Sequence, residues 1–311
     1  GKQFFTDEIR KQIESLGEVI WNKSSFPLSR SDMQDLLKDI DVCLTGWGTP
    51  RFDKEMLDHA PRLRFVAHTG GTVAPLVSPE FYERGLKISS GNEIYAESVA
   101  EGVLCYILCA MRKITDYNNR MHKSGWKEPG DMSRGLFGKT IGLVGYGATT
   151  RYLLEMLKPF HANILLYSRH MPEEQAEKLN VKKSSLEEIF SRSDVVSIHA
   201  AQNPQNYHMI GAPLLRLLQK GSVLINAARG DIVDEAAICE TIESGGYTVV
   251  LDVYEQEPLP DSHPLRRLKQ AVLIPHMAGP TVDRYPDVTK AMAEEILRFQ
   301  RGEALRYSIS P

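Results

Sequence analysis

The chain alternates between short apolar runs and longer stretches in which apolar residues recur every three or four positions. Runs at 140–144, 163–167, 195–199, 222–226, 248–253 and 272–275 are rich in β-branched and aliphatic residues, the pattern of strands buried on both faces. Amphipathic stretches at 149–157, 185–191, 212–218 and 234–243 lie between most of them. Six strands separated by crossovers predict a doubly wound parallel sheet. The first part of the chain repeats the theme on a smaller scale. Strands are expected at 18–21, 42–45, 63–68 and 86–89, and helices at 6–16, 31–37, 54–60 and 81–85.

Two longer helical patterns organise these parts. From 98 to about 122, Val99, Val103, Tyr106, Ile107, Ala110, Met111 and Ile114 form a wide apolar stripe, and Ser98 with Glu101 has the spacing of a capping box. Such a helix crosses between domains, packs on a second subunit, or is one long core helix. The pattern at 287–301, with Val288, Met292, Ile296 and Phe299, would return the chain to its first domain. The expected division is a smaller, discontinuous α/β domain over 1–97 and 287–311 and a larger one over 98–286. The stretch at 98–122 would serve as an interdomain or dimer helix, and the Gly- and Pro-containing stretch at 124–138 as an exposed connection.

Composition narrows the function. The 311 residues give room for two α/β domains. A net charge of -3 leaves no electrostatic footprint for nucleic acid or an anionic membrane. No apolar run is expected to span a bilayer and no signal-peptide pattern opens the chain, so a cytoplasmic protein is expected. Cys43, Cys105, Cys109 and Cys239 form no metal-ligand spacing and are expected to be buried thiols, with no metal bound. The chain opens on Gly1 rather than Met, which is expected to reflect trimming or an expression remnant.

The strand at 140–144 runs directly into Gly145-Tyr146-Gly147 and then a helix beginning near Ala148 and Thr149. Free amides of a first helical turn, the helix dipole and a backbone without Cβ make a seat for a pyrophosphate. This is the start of a Rossmann fingerprint, with Thr150 where its third glycine would stand. Ser168 occupies the place of the carboxylate that usually binds the adenosine ribose, and Arg169 follows. A Ser and a guanidinium suit a 2′-phosphate, so NADP is expected in preference to NAD. Arg169 as an ordinary surface cation is the competing reading.

Three further segments end strands. They are 226–234 with Ala227 and Arg229, 251–258 with Asp252, Glu255 and Glu257, and 274–279 with His276. At the carboxyl edge of an open sheet, an Arg can grip a substrate carboxylate. A His oriented by a neighbouring carboxylate can exchange a proton near neutral pH. Each residue alone is more often a surface or capping group.

Together the segments SVAE (98–101), GKTIGLVGYG (138–147), NAARGDIVD (226–234), LDVYEQEPLP (251–260) and PHMAG (275–279) resemble the D-isomer-specific 2-hydroxyacid dehydrogenases, and the resemblance covers nearly the whole chain. It implies a Rossmann cofactor domain with a flavodoxin-like substrate domain, and reversible NAD(P)-dependent reduction of a small 2-oxo acid, such as glyoxylate or hydroxypyruvate, to a D-2-hydroxy acid. It also implies a homodimer. By motif position it implies Arg229 as substrate-binding residue, His276 as proton donor, Glu257 as its partner with Glu255 as rival, and Asp252 as a nicotinamide contact. Gly145, Gly147, Ala148, Thr149, Ser168, Arg169 and Ala227 would hold the cofactor, and the Gly71 and Thr72 amides the substrate carboxylate. The 70–76 segment reads GGTVAPL instead of the family's usual G-x-G-x-D-x-x-D, which bears on the substrate more than on the reaction. The family's first strand would fall before Phe4. Two other readings on this fold are a dinucleotide-sensing corepressor-like binder, against which the retained Arg229, Glu257 and His276 argue, and a formate or phosphonate dehydrogenase. For formate enzymes, Gln is implied in place of Glu257.

Overall fold

A computed structural model describes residues 3–24 and 26–310. Gly1 and Lys2, on which the reading of the chain's start falls, lie outside the described residues. The chain forms two compact units, Gly1–Ala96 with Pro280–Pro311, and Glu97–Gly279.

The first unit holds helices α1 (Asp7–Glu14), α2 (Arg30–Leu36), α3 (Lys54–Asp58) and α4 (Pro79–Glu83) and strands β1 (Val42–Thr45), β2 (Phe65–His68) and β3 (Lys87–Ser90). The strands pair in parallel in the order β1-β2-β3. Central β2 is buried on both sides, and its alternation sorts the two cores. Val66 joins Met56, Leu57 and Phe81 in one apolar cluster, while Phe65 and Ala67 join Met292 and Ile296 in another. Met292 and Ile296 belong to helix α12 (Tyr285–Gln300), so the last helix does return to the first sheet. Its buried Glu295 accepts hydrogen bonds from Ser89 Oγ at 2.6 Å and from the amides of Arg306 and Tyr307 at 3.0 and 3.1 Å.

The expected strand at 18–21 does not form. Trp21 instead lies edge-on to Phe5, beneath the Arg10 guanidinium, and donates to Glu14 at 3.1 Å. The segment satisfies its apolar and polar groups on α1 rather than on a sheet edge.

The second unit contains β4 (Thr140–Val144), β5 (Asn163–Tyr167), β6 (Lys182–Lys183), β7 (Val195–Ile198), β8 (Val223–Asn226), β9 (Thr248–Leu251) and β10 (Ala271–Leu273). All pair in parallel, in the order β10-β9-β8-β7-β4-β5-β6. Helices α6 (Ile114–His122), α7 (Ala148–Leu157), α8 (Glu173–Lys178), α9 (Leu186–Arg192), α10 (Ala212–Leu215) and α11 (Glu235–Gly245) complete it. The strand order reverses between β4 and β7, the switch point at which open α/β sheets bind ligands. Gly142 in β4 permits close helix packing, because a Cβ there would lie 2.4 Å from Ile189 of α9. The β6 strand and α8 carry almost no apolar residues, and the hydrophobic pattern missed both.

Helix α5 (Asn92–Met111) corrects three expectations. It starts six residues before Ser98, with Gly91 O accepting from Tyr95 N, so Ser98 is a buried interior residue and not a cap. It stops at Met111 because Lys113 takes a left-handed φ of 54°, which separates it from α6. By length and a mean hydropathy of 1.5 it could also cross a membrane, contrary to the expectation that no such run exists. Its Ala100, Val103, Ile107 and Met111 are buried against Ile141, Leu143 and Leu153, so one face packs on the core, while Glu101 and Cys105 are exposed. The cysteines are free, but they are not the buried thiols expected: Cys43, Cys109 and Cys239 are half-buried and Cys105 is exposed, with its Sγ 3.9 Å from that of Cys109.

Candidate active site

Sheet register aligns one row of residues across the second unit: Tyr167, Val144, Ile198, Asn226, Leu251 and Leu273 are successive neighbours. In a parallel sheet the chain leaves every strand on the same edge. The residues immediately after this row are therefore Ser168, Gly145, His199, Ala227, Asp252 and Ile274. Distant stretches of sequence reach one edge by register alone.

Gly145 is required by the protein itself. Its φ is +104°, and a Cβ would lie 2.6 Å from Ala200 N. Gly147 is different. It is extended, it precedes α7 with no side-chain cap, and a Cβ on it would meet nothing within 4 Å. The position just before the Ala148 and Thr149 amides is thus left clear by the protein's own packing, which fits a pyrophosphate at this helix start. Thr150, in the third-glycine position, is fully buried and donates to Gly145 O at 2.9 Å, so its hydroxyl costs no unpaired group. His199, beside this turn, has its Nε2 2.9 Å from Ser197 Oγ, and burial pulls its pKa down to about 4, leaving it neutral.

At the end of β5, Ser168 is half-buried and Arg169 exposed. The Arg169 guanidinium donates to Asn206 Oδ1, and Asn206 in turn donates to Ala201 O at 2.6 Å. Asn206 is buried, so it sets the orientation of the guanidinium.

Beyond β8, the buried Asn226 side chain closes the turn that carries Arg229. It accepts from Ala228 N at 3.1 Å and donates to Arg229 O at 2.8 Å. Arg229 itself is exposed, with one guanidinium nitrogen on Ala228 O at 2.6 Å. The turn then lies against the next loop: a Cβ on Gly230 would sit 1.9 Å from the Tyr254 carbonyl carbon.

The imidazole of His276 meets a carboxylate. Its Nδ1 is 2.7 Å from Glu257 Oε2, and the other Glu257 oxygen accepts from Tyr254 N at 3.1 Å. Nδ1 toward a carboxylate fixes the tautomer and leaves Nε2 for proton transfer. Glu255, the rival, points elsewhere. It accepts from Glu235 N at 3.0 Å, the Glu235 carboxylate in turn accepts from Glu255 N at 2.9 Å, and His208 Nε2 lies 3.1 Å away. This reciprocal pair fastens the Glu257 loop to the start of α11. His208, Asp234 and Glu255 are a set of possible metal ligands among the described residues, with donor atoms within 4.8 Å of one another. Asp234 caps α11 through Ala237 N at 3.0 Å.

Asp252 is only 1% exposed. Its carboxylate accepts from Met277 N at 2.7 Å, from Ala278 N at 3.0 and 3.1 Å, and from the Tyr106 hydroxyl at 2.9 Å. It therefore holds the loop of His276. Oδ1 is crowded by these donors, whereas among the described residues Oδ2 accepts from Ala278 N and retains acceptor capacity. Neither Tyr106 nor Asn226 stood out in the sequence as a site residue. Asn226 could have been found as an Asx turn before a strand-end Arg; Tyr106 had no local signal.

In the first unit, Gly71 is half-buried and Thr72 exposed on the loop after β2. Gly70 sits directly over the buried His68 ring, where a Cβ would lie 2.2 Å from Nε2. The loop is tied down through Thr69 O, which accepts from the Tyr95 hydroxyl, and Gly70 O, which accepts from Gly91 N at 3.0 Å.

Known proteins place this arrangement. The family described as D-isomer specific 2-hydroxyacid dehydrogenase, NAD binding domain, matches residues 104–278. A glyoxylate reductase of Korarchaeum cryptofilum is 29% identical over 309 residues, covering 96% of this chain and 93% of the relative. Another from Thermofilum pendens is 30% identical over 293 residues, covering 92% and 86%. Among solved structures, a protein of Thermus thermophilus superposes with a TM-score of 0.81 at 25% identity, covering 100% of this chain and 97% of that one. The D-mandelate dehydrogenase of Rhodotorula graminis shares the fold, with a TM-score of 0.86 at 20% identity and coverage of 98% and 94%. Since the matched segment spans more than half of the sequence and contains both the glycine turn and the Glu257–His276 pair, the chain belongs to the D-isomer-specific 2-hydroxyacid dehydrogenases.

Proposed function

We propose that this enzyme reduces glyoxylate or a similarly small 2-oxo acid, such as hydroxypyruvate, to the D-2-hydroxy acid, with NADPH preferred over NADH. The observation that carries the reading is the 2.7 Å pairing of His276 Nδ1 with Glu257, on an edge that also presents Arg229. Arg229 binds the substrate carboxylate, and the Gly71 and Thr72 amides are the carboxylate-binding groups that the first unit offers. Gly145, Gly147, Ala148 and Thr149 seat the pyrophosphate, Ala227 and Asp252 flank the nicotinamide, and Ser168 with Arg169 takes the 2′-phosphate. A bound nicotinamide supplies the hydride. His276, oriented by Glu257, delivers a proton from Nε2 to the carbonyl oxygen as the alcohol forms, and Arg229 holds the carboxylate so that the carbonyl meets that proton.

The NADPH preference is supported by the absence of a carboxylate at Ser168 and by the Asn206 brace that orients Arg169. The test is a panel of glyoxylate, hydroxypyruvate and larger 2-oxo acids with each dinucleotide, followed by loss of nicotinamide absorbance. Turnover of a small 2-oxo acid, faster with NADPH, is expected. Tight dinucleotide binding with no turnover of any acid would overturn the assignment and point to a sensing role.

A further inference from the structure

His276 lies in a short connection that is tied down on both sides by phenols. Before it, Tyr254 donates its hydroxyl toward Ile274 O at 2.9 Å and Leu251 O at 3.0 Å, joining the ends of β10 and β9. After it, the Met277 and Ala278 amides both run to Asp252. Asp252 Oδ1 also accepts the Tyr106 hydroxyl, which comes from α5, 146 residues earlier. Between these two anchors His276 takes a left-handed φ of 54°, a conformation uncommon for a non-glycine residue.

The second anchor depends on α5 as a platform. Gly102 and Tyr106 are four residues apart, so they share a helix face. A Cβ on Gly102 would lie 2.3 Å from Ala278 O, and one on Gly279 2.9 Å from Val99 N. The backbone of 277–279 is thus laid directly on the helix. The Tyr106 hydroxyl reaches past it to the carboxylate that holds the loop amides. Burial, and then the Asp252 charge beside it, push the Tyr106 phenol above its ordinary range, so it remains a donor at every working pH.

We propose that Tyr106 is a positioning residue for His276: through Asp252 it fixes the Met277–Ala278 backbone and, with it, the angle at which the imidazole meets Glu257. The proposal rests on the reading of His276 as proton donor only for its effect on turnover; the hold on the loop stands on the hydrogen bonds alone. Removing the hydroxyl leaves Asp252 its two amide donors and the backbone contacts at Gly102, but removes the hydrogen-bonded tie to the helix. The loop then gains freedom while the glycine turn that seats the cofactor is untouched.

The experiment compares Tyr106→Phe with Tyr247→Phe. Tyr247 is fully buried in the same unit, and its hydroxyl meets Thr241 Oγ1 at 2.8 Å, whereas Tyr106 is half-buried; both changes delete one phenol hydrogen bond and keep the ring. Two readouts are taken on the full chain: kcat and KM for glyoxylate and NADPH, and peptide-resolved hydrogen exchange over residues 275–279. Tyr106→Phe should lower kcat roughly tenfold and speed exchange of the 277–278 amides roughly tenfold. Tyr247→Phe should do neither, even at a comparable loss of melting temperature. Unchanged exchange in Tyr106→Phe, or equal effects from the two variants, would overturn the proposal. If the parent protein turns over no 2-oxo acid, the functional reading falls, and the exchange comparison still decides whether Tyr106 holds the loop.

Discussion

Acid should destabilise the three-stranded unit through a single imidazole, His68. This side chain closes β2 directly beneath the Gly70 turn. It is 4% exposed, and its Nδ1 lies 2.9 Å from Thr45 Oγ1. Burial lowers its pKa from 6.5 to about 4. The folded chain therefore binds this proton later than the unfolded chain as pH falls. The stability that neutral His68 supports is complete above pH 6.5, is lost progressively from 6.5 toward 4, and changes little below that. The whole difference corresponds to ~3 kcal/mol, of which ~2 kcal/mol is already lost at pH 5. The assay is urea unfolding at pH 7.5 and pH 5.0, followed by tryptophan fluorescence. Trp21 and Trp47 lie in the same unit as His68 and report on it. Asn at this position keeps a polar atom near Thr45 but cannot titrate. In His68→Asn the midpoint difference between the two pH values should shrink by about 1 M urea relative to the parent, for a slope near 2 kcal/mol/M. His199 is retained in both proteins and cancels in the comparison. An identical pH difference in parent and variant would refute the assignment of the acid sensitivity to His68.

Other expectations concern the chemistry. His276→Ala should lower kcat by roughly 10²- to 10⁴-fold while NADPH affinity, measured by titration calorimetry, stays within a factor of a few; near-normal turnover would remove the proton-donor role. Gly147→Ala should keep the parent's melting temperature, because the added methyl meets no protein atom within 4 Å, yet weaken dinucleotide binding by roughly tenfold or more. Ser168→Asp should reverse the cofactor preference toward NADH through repulsion of the 2′-phosphate, read as the ratio of kcat/KM for the two dinucleotides; continued preference for NADPH would mean that selectivity lies elsewhere.

Most strands were legible because burial on both faces leaves a continuous apolar run, and the expected strand at 140–144 coincides with β4. Helix ends were legible where a cap was local. Ser185 and Asp234 each cap a helix that begins at the next residue. The false cap at Ser98 arose because a capping-box spacing also occurs inside a helix, and only the Gly91–Tyr95 turn shows where α5 begins. The segment at 18–21 has strand composition, but no neighbouring strand receives it, and its Trp21 packs on α1. Glu255 and Glu257 could not be separated by residue type. The backbone turns one to Glu235 and the other to His276.

Sequence by itself determined the alternation of strand and helix, the glycine turn after β4 and the functional groups available at 229, 257 and 276. These are local matters: apolar period, turn chemistry and functional groups are carried by adjacent residues. The tertiary structure alone decided which groups meet. The register row from Tyr167 to Leu273 brings distant turns to one edge, and close backbone contact at Gly102 and Gly230 sets the spacing of the loops. The Tyr106–Asp252 bond joins residues 146 positions apart. Partners of that kind are chosen by strand order, register and packing of the whole sheet, which no short stretch of sequence encodes.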